Sequence, residues 1–308
     1  MSIKVGKKVL DIRLATLPTV FGEKVVLRIL DKTQALLQLS DLGFEEEAFK
    51  RYQVSFRKPY GAILVTGPTG SGKSTTLYAT LNILNEIDRN LITVEDPVEY
   101  RLPGVNQIQV NTKAGLTFAS ALRSILRADP DIVLIGEIRD RETAMIAVEA
   151  ALTGHLVLST LHTNDAPAAI TRLTEMEVET FLVASALDCV VAQRLARVLC
   201  ERCKEGFVPE ARQLLEAGLP EWRVAEVKEL FRPVGCSACS NTGYRGRMGL
   251  YEVMPVTEEI ERLTVERASS DQIRVVAIEQ GMSTLRDDGL AKAIRGSTSL
   301  EEIARVVK

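Results

Sequence analysis

The residues from Gly67 to Ser74 have the spacing that binding a phosphate group requires. They read GPTGSGKS, which fits G-x-x-x-x-G-K-[ST], and they lie between the apolar run AILV and a helical pattern. Gly67, Gly70 and Gly72 let the backbone curl so that several N–H groups point at phosphate oxygens. The helix that begins near Lys73 adds its positive end.

Two side chains of this loop are expected to act on the ligand directly. Lys73 should reach the β- and γ-phosphates, and the Ser74 hydroxyl should bind Mg²⁺. A loop that only turns the chain is the alternative, and the strand and helix on either side argue against it. We therefore predict a site for a nucleoside triphosphate with Mg²⁺. Its predicted residues are Gly67, Pro68, Thr69, Gly70, Ser71, Gly72, Lys73, Ser74 and Thr75.

Acidic residues follow two further apolar runs. DIVLIGEIRD places Gly136 and then Glu137 where a nucleotide-hydrolysing fold often has an Asp that binds Mg²⁺. LITVEDPVEY places Glu95 and Asp96 after the other run, with Glu99 nearby. Such acids are often solvated turn residues or helix caps. At the carboxyl edge of a parallel sheet, however, they would lie beside the phosphate loop.

The two histidines of the chain both stand in LTGHLVLSTLHTND. His162 ends an apolar run that should lie near the phosphate loop, so it is a candidate sensor of the γ-phosphate. For His155, a packed ring without a catalytic role is as good an interpretation as a functional one.

A sheet with helices on both faces would bring these residues together. From Tyr60 onward, short apolar runs alternate with amphipathic ones, which indicates βα units and a mostly parallel sheet. Residues 1 to about 30 show two alternating segments typical of a small β-containing domain. The chain starts inside an apparent strand, which we interpret as a missing upstream part. FLVASALDCVVA reads as an apolar helical run with Cys189 in the core.

Four of the five cysteines form two C-x-x-C pairs, separated by residues 204–235. Four thiolates suit one closed tetrahedral zinc site, which leaves no open position for catalysis. Two disulfides or a redox pair are the alternatives, and the setting favours neither. A small helical insertion, PEARQLLEAGL, must fold between the pairs. The predicted ligands of a structural Zn²⁺ are Cys200, Cys203, Cys236 and Cys239.

Composition limits the class of partner. The formal net charge is −3 and no basic tract stands out, which argues against nucleic acid as a partner. The 5% aromatic content argues the same way for single strands. A DNA translocase is therefore a less favoured alternative. No apolar run reaches the ~18 residues of a membrane span, so we expect a soluble, cytoplasmic protein.

Four segments in this order resemble the boxes of a known family. GPTGSGKSTTLYATL, ITVEDPVEY, DPDIVLIGEIRD and LTGHLVLSTLHTN look like the Walker A, Asp, Walker B and His boxes of the secretion ATPase superfamily. Its members drive bacterial type II secretion and type IV pilus assembly. The resemblance extends over the whole chain and implies a RecA-like P-loop ATPase core.

The resemblance also implies roles for the acids. The family's Walker B box has the same Gly-Glu ending, so Glu137 would polarise water or organise Mg²⁺, with Glu95 as the partner carboxylate. Either carboxylate could be the general base. Our hypothesis assigns that role to Glu95. A complete set of boxes argues against the further alternative, a regulatory module that binds ATP without hydrolysing it.

Arginines would complete the charge neutralisation. In the family, two arginines of the small N-terminal domain reach nucleotide phosphates across a domain or subunit boundary, and they correspond here to Arg13 and Arg28. Without the resemblance, both would be interpreted as surface strand residues. Arg123 and Arg127, four residues apart, are weaker candidates that an exposed or interface face explains equally well.

The resemblance finally implies an assembly. Assembly motors commonly carry the tetracysteine module, whereas pilus retraction motors lack it. The expected protein is a homo-hexamer that is peripheral to the inner membrane, where it meets a platform protein and a cytoplasmic domain of a membrane component. Type II secretion is favoured, with type IV pilus assembly as the alternative. The predicted domains are the rest of a PAS-like N-terminal domain and linker (1–35), the ATPase core (36–198), the zinc module (199–245) and a C-terminal helical subdomain (246–308).

Overall fold

A computed structural model describes residues 2–5, 8–31 and 37–307 of the chain. The side chains of Arg13 and Arg28 lie outside this description. The strands are β1 (Ser2–Val5), β2 (Lys8–Thr19), β3 (Gly22–Asp31), β4 (Gly61–Thr66), β5 (Leu91–Glu95), β6 (Asn106–Gln109), β7 (Ile132–Ile135), β8 (Leu156–Leu161), β9 (Leu187–Leu199), β10 (Glu205–Phe207), β11 (Leu230–Arg232) and β12 (Tyr244–Pro255).

Helices occupy most of the segments between these strands. They are α1 (Glu46–Phe56), α2 (Lys73–Leu84), α3 (Phe118–Ile125), α4 (Arg141–Leu152), α5 (Pro167–Glu175), α6 (Thr180–Ala186), α7 (Ala211–Glu216), α8 (Glu221–Val224), α9 (Glu258–Val265), α10 (Ser270–Glu279), α11 (Leu285–Ile294) and α12 (Leu300–Val306). Short 3-10 turns cover Leu39–Leu42, Thr112–Ala114 and Ser237–Cys239.

The central sheet has seven strands in the order β12-β9-β4-β8-β7-β5-β6. Neighbouring strands are parallel, except that β12 runs antiparallel to β9. The carboxyl ends of β4, β5, β7 and β8 therefore meet at one edge. The predicted α/β class is confirmed.

Alternate residues of β4 show why its sequence is apolar throughout. Ile63 and Val65 are buried in a core that includes Tyr52 of α1 and Leu77 of α2. Leu64, between them, is buried in a second core on the other face, to which α3 to α6 and α9 to α12 contribute. A strand covered on both faces needs apolar side chains at every position.

The helical interpretation around Cys189 is wrong. Helix α6 ends at Ala186, and β9 begins at Leu187 and fills the place between β4 and β12. Cys189 is fully buried there, as expected of a core residue, and β-branched Val190 and Val191 follow it. Both faces of this strand are covered, so its run of apolar residues has no alternation that distinguishes it from a buried helix.

The remaining strands lie outside the central parallel set. Strands β1 to β3 form an antiparallel sheet, and β10 pairs with β11 between the two cysteine pairs. Strand β12 was not anticipated: the region 246–308, expected to be helical, starts within this strand, and α9 to α12 follow it.

Candidate nucleotide site and metal centre

The phosphate loop connects the end of β4 to the start of α2. Gly67, Gly70 and Gly72 all have positive φ, the conformation that glycine adopts without strain. A Cβ atom on Gly67 would lie 2.4 Å from the carbonyl oxygen of Gln193, so the loop also needs glycine for space. The buried hydroxyl of Ser71 has no hydrogen-bond partner in the described part of the chain. The loop thus has the tight backbone turn that phosphate binding requires.

The Lys73 side chain folds back over this loop. Its Nζ donates to the carbonyl oxygens of Gly67 at 2.8 Å and Pro68 at 3.1 Å. Burial lowers the pKa of the Lys73 ammonium, and the nearby Glu137 carboxylate opposes that change. Ser74 and Thr75 are exposed on the first turn of α2. The ammonium is therefore held beside the loop's own carbonyls, where a phosphate could replace them.

Glu95 ends β5 and is buried among three donors. Thr93 Oγ1 donates to its Oε1 at 2.7 Å and Gln107 Nε2 at 3.1 Å, while the Tyr78 hydroxyl donates to its Oε2. Tyr78 belongs to α2, so this bond connects the acid to the helix of the phosphate loop. The carboxylate has a fixed orientation.

The close approach of two backbones explains the glycine that precedes Glu137. The N–H of Gly136 donates to the carbonyl of Val94 at 2.8 Å. A Cβ atom at position 136 would lie 3.3 Å from both that oxygen and the Cα atom of Glu95. Any side chain at position 136 would therefore be in tight contact with β5, whereas Glu137 is the acid at the end of this strand.

Glu137 and His162 meet at the same edge. His162 Nε2 lies 3.3 Å from Glu137 Oε2, and Arg139 pairs with the other oxygen. Burial opposes ionisation of Glu137, but its hydrogen bonds with Arg139 and His162 outweigh burial and lower its pKa. Arg139 also approaches Asp96 at 4.0 Å. These contacts, together with the electrostatic effect of Glu137 on Lys73, bring residues of all four boxes to one edge of the sheet.

Other predicted candidates lie elsewhere. His155 precedes β8 at the opposite end from His162, and its Nδ1 lies 2.9 Å from the carbonyl of Ala150, which matches the packing alternative. Arg123 pairs with Glu142 of α4 at 2.5 Å. Arg127 donates from Nη2 to Ser124 Oγ, three residues earlier, at 3.4 Å.

The two hairpin arginines can be placed only by their backbones. Arg13 of β2 and Arg28 of β3 are cross-strand partners, which puts them side by side on one ladder. Their side chains lie outside the described residues, so their roles stay predictions.

Several supporting residues escaped sequence reasoning. Tyr78 and Gln107 hold Glu95, and Thr66 holds Thr163 directly after His162 with hydroxyl oxygens 2.6 Å apart. Their partners are remote in sequence, so no local spacing marks them. Only the position of Thr66 at the end of the strand before the phosphate loop could have drawn attention to it.

The four predicted cysteines converge on one point. Their Sγ atoms all lie within 4.8 Å of one another, and three of the separations are 3.8 or 3.9 Å. A tetrahedral Zn²⁺ with Zn–S bonds of about 2.3 Å requires sulfur atoms about 3.8 Å apart. No disulfide joins them. The donor set fits a structural zinc ion and contradicts the disulfide alternative.

Backbone amides complete the cysteine cluster. The N–H groups of Cys236 and Gly243 each donate to the sulfur of Cys239 at 3.2 Å. Burial opposes ionisation of this thiol, yet these bonds prevail and lower its pKa to about 6. Zinc binds cysteine in its thiolate form.

The fold and this site define a P-loop nucleoside triphosphate-binding protein of the α/β class. The family model described as "Type II/IV secretion system protein" matches residues 1–305. The chain belongs to this family.

Type IV pilus assembly ATPases and type II secretion system E proteins are both similar to the chain. The type IV pilus assembly ATPase PilB of Thermus thermophilus is 52% identical over 299 residues, which cover 97% of this chain and 34% of the relative. The type II secretion system protein E of Aeromonas hydrophila is 49% identical over 308 residues, which cover 100% and 61%. The chain thus spans between about a third and three fifths of the length of these relatives.

Solved structures support the fold. The pilus retraction motor PilT with bound ADP is 26% identical and superimposes with a TM-score of 0.69, covering 99% of this chain and 76% of that chain. The ATPase DotB of Legionella pneumophila has a TM-score of 0.70 at 19% identity, covering 99% and 75%, which shows a shared fold alone. In the described part of the chain, no helix has the length and apolar character to cross a bilayer.

Proposed function

We propose that the protein is an ATP-hydrolysing motor that powers filament assembly, with type II secretion favoured and type IV pilus assembly as the alternative. The observation that carries this proposal is the convergence of Lys73, Glu137 and His162 at one sheet edge, within a chain that belongs to the secretion family. A loop lysine on the phosphates and a residue that orients the attacking water are groups on which phosphoryl transfer to water depends.

The residues divide the chemistry between them. Loop amides and Lys73 bind the β- and γ-phosphates, and Ser74 with the Glu137 carboxylate would hold Mg²⁺. When bound, Mg²⁺ would neutralise part of the negative charge of the phosphates. Glu95 accepts the proton of the attacking water, and its three donors keep it in place. His162 touches Glu137 and reports whether a γ-phosphate is present.

Zinc has a separate, structural role. The sulfur tetrahedron closes the segment Cys200–Cys239 around β10, α7, α8 and β11. Such sites contribute folding free energy directly. Chelation should therefore melt this module and release about one Zn²⁺ per chain, while the ATPase core keeps its nucleotide affinity. A purified protein with no zinc and four reactive thiols would contradict this assignment.

The motor acts as a homo-hexamer at the inner membrane. In a ring of head-to-tail interfaces, Arg13 and Arg28 of one subunit reach the nucleotide of the next. The output passes to a membrane platform protein and a cytoplasmic domain of a membrane component. The family membership and the similarity to named pilus and secretion ATPases support these partners.

Identity does not separate the two pathways, because PilB relatives reach 48–52% and protein E relatives 48–50%. Chimeras can separate them. This chain would replace the matching segment of each kind of relative, and protein secretion or pilus extension would be scored. Type II secretion predicts rescue of secretion with poor pilus extension, and the reverse result would favour the alternative.

Phosphate release tests the central proposal. Wild-type protein should release phosphate from ATP only with Mg²⁺, and Lys73→Ala should abolish both binding and turnover. Lys113→Ala, an exposed lysine outside the loop, is the matched control and should behave as wild type. Turnover that survives Lys73→Ala would sink the assignment of this loop.

A further inference from the structure

The segment after His162 is held by four elements that are distant in sequence. The N–H of Thr163 donates to Thr66 Oγ1 at 2.9 Å, which fixes it to the strand that enters the phosphate loop. Arg194 of β9 donates from Nη2 to the Asn164 carbonyl at 2.9 Å and to its side-chain oxygen at 3.3 Å. We call residues 162–166 the sensor loop.

The next two residues of the sensor loop are held from the C-terminal region. Arg274 of α10 donates to Asp165 Oδ2 at 2.6 Å. The N–H of Ala166 donates to Glu252 Oε1 of β12 at 2.7 Å. Glu252 is buried, and its other oxygen accepts from the N–H of Leu285 at 3.3 Å. This carboxylate therefore joins the starts of α5 and α11, where helix dipoles favour negative charge.

The sensor loop borders a cavity of about 470 Å³ that provides room for movement. It lies between the loop and the C-terminal helices. Its polar lining includes Asn164, Asp165, Arg194, Glu252, Arg274 and Arg305. A loop packed on all sides could not change place, whereas this one has polar groups and space on its C-terminal side.

We propose that Arg274 and Glu252, which stand outside the four boxes, are positioning residues for His162. They hold the sensor loop so that His162 meets Glu137, and they carry its displacement to α10 and α11 when a γ-phosphate arrives. The inference rests on the proposed ATP hydrolysis for its kinetic consequence. The path is short, because only three residues separate His162 from Ala166.

Arg274→Gln is the main test, since the residue is partly exposed and its loss should leave the fold intact. We expect kcat to fall on the order of 10-fold, the effect of losing one charge-assisted hydrogen bond, with KM for ATP changed less than about threefold. Arg274→Lys keeps the charge and should recover part of the loss. Glu252→Gln, which keeps one acceptor oxygen, should reduce kcat in the same direction.

Two controls separate positioning from general damage. Arg262→Gln removes an exposed arginine of α9 that pairs with Glu259 and Glu266 of its own segment. Asp271→Asn removes the other acid near Arg274, at 3.6 Å. Both variants should keep wild-type kcat. A matching loss in either would overturn the proposal.

Amide exchange gives a readout that does not need hydrolysis. ATPγS should slow exchange in residues 67–75 and in α10 of the wild type, and Arg274→Gln should lose only the α10 response. Normal kcat together with a retained α10 response in this variant would overturn the proposal. A wild type that binds ATPγS with the α10 response but releases no phosphate would refute the proposed hydrolysis and leave the coupling intact.

Discussion

At the scale of single residues, the two site glutamates differ in their surroundings. Glu95 is buried, and Thr93, Tyr78 and Gln107 all donate to it. Glu137 is more open and contacts Arg139 and His162. A carboxylate with a fixed direction suits proton abstraction, and one beside the loop lysine suits a metal and its water.

Exchange of each acid for its amide should separate these roles. Glu95→Gln should lower kcat by about 10²–10⁴-fold, the contribution of a general base, and leave Mg²⁺ half-saturation unchanged. Glu137→Gln should raise the Mg²⁺ concentration required as well as lower turnover. Glu149→Gln, an exposed acid of α4, is the control. Near-normal turnover in Glu95→Gln with none in Glu137→Gln would reverse the assignment.

At the scale of elements, a buried ion pair joins α11 to β12. Lys292 Nζ lies 2.7 Å from Asp288 Oδ2 and donates to the carbonyl of Gly249 at 2.8 Å. The same Asp288 oxygen accepts from the N–H of Tyr251 at 2.9 Å. Removal of one charge leaves the other buried without a partner, which costs more than the pair contributes.

Lys292→Met should therefore lower the free energy of unfolding by about 3–5 kcal/mol. The double change Lys292→Met with Asp288→Asn should recover much of that loss, because no charge stays buried. Lys50→Met, an exposed residue paired with Glu46 and Glu47, should change stability by less than about 1 kcal/mol. Denaturant titration measures all three, and a double variant no better than Lys292→Met would contradict the explanation.

A second ion cluster joins α12 to β9 and gives stability a pH dependence. Burial opposes ionisation of Glu302, but hydrogen bonds from Arg305 and Arg197 prevail and lower its pKa from 4.5 to about 2. Because the pKa is lower in the folded state, Glu302 stabilises the fold at pH values above its unfolded pKa of 4.5. This stabilisation disappears as the pH falls towards 2.

The stability difference between wild type and Glu302→Gln should follow this window. It should be constant from pH 7 to about pH 5 and shrink as the pH falls further. Other effects of low pH, including loss of zinc, act on the wild type and on Glu302→Gln alike. They therefore cancel in the difference between the two proteins. Unfolding midpoints across this range would measure it, and a gap that widens on acidification would rule out Glu302 as the cause.

At the scale of the whole molecule, we propose that the nucleotide site depends on two residues outside the ATPase core. Arg13 and Arg28 are cross-strand partners on the β2–β3 hairpin. An arginine that stabilises the transferring phosphoryl group is worth roughly 10³–10⁵ in rate. Supplied by the neighbouring subunit, it would link hydrolysis to ring assembly.

Arg28→Ala and Arg13→Ala should lower kcat by up to about 10³-fold with little change in ATP affinity. Lys24→Ala, on the same hairpin and exposed, is the control. Mixing Arg28→Ala with Lys73→Ala subunits should restore part of the turnover, because some interfaces then combine an intact arginine with an intact phosphate loop. Mixtures that stay inactive would show that the arginines do not act across subunits.

The structure agrees with the sequence-based prediction where a structural feature is local. The GPTGSGKS loop, the apolar strands before it and before Glu137, and the two C-x-x-C pairs are each contained in a few neighbouring residues. The prediction for β9 was wrong, because a strand buried on both faces and a buried helix have the same apolar composition. The sequence did not predict strand β12, because its place at the edge of the sheet depends on its pairing with β9.

The sequence by itself determined the glycine-rich loop, the acids and histidine at the strand ends, the four clustered cysteines and the family. Each depends on residue type at fixed spacing, which the chain specifies without long-range contacts. Only the tertiary structure decided that Tyr78 and Gln107 fix Glu95, that β5 lies close to position 136, and that Arg274 and Glu252 hold the sensor loop. These contacts join elements far apart in the chain, and no local pattern encodes which side chains meet when a sheet and its helices pack.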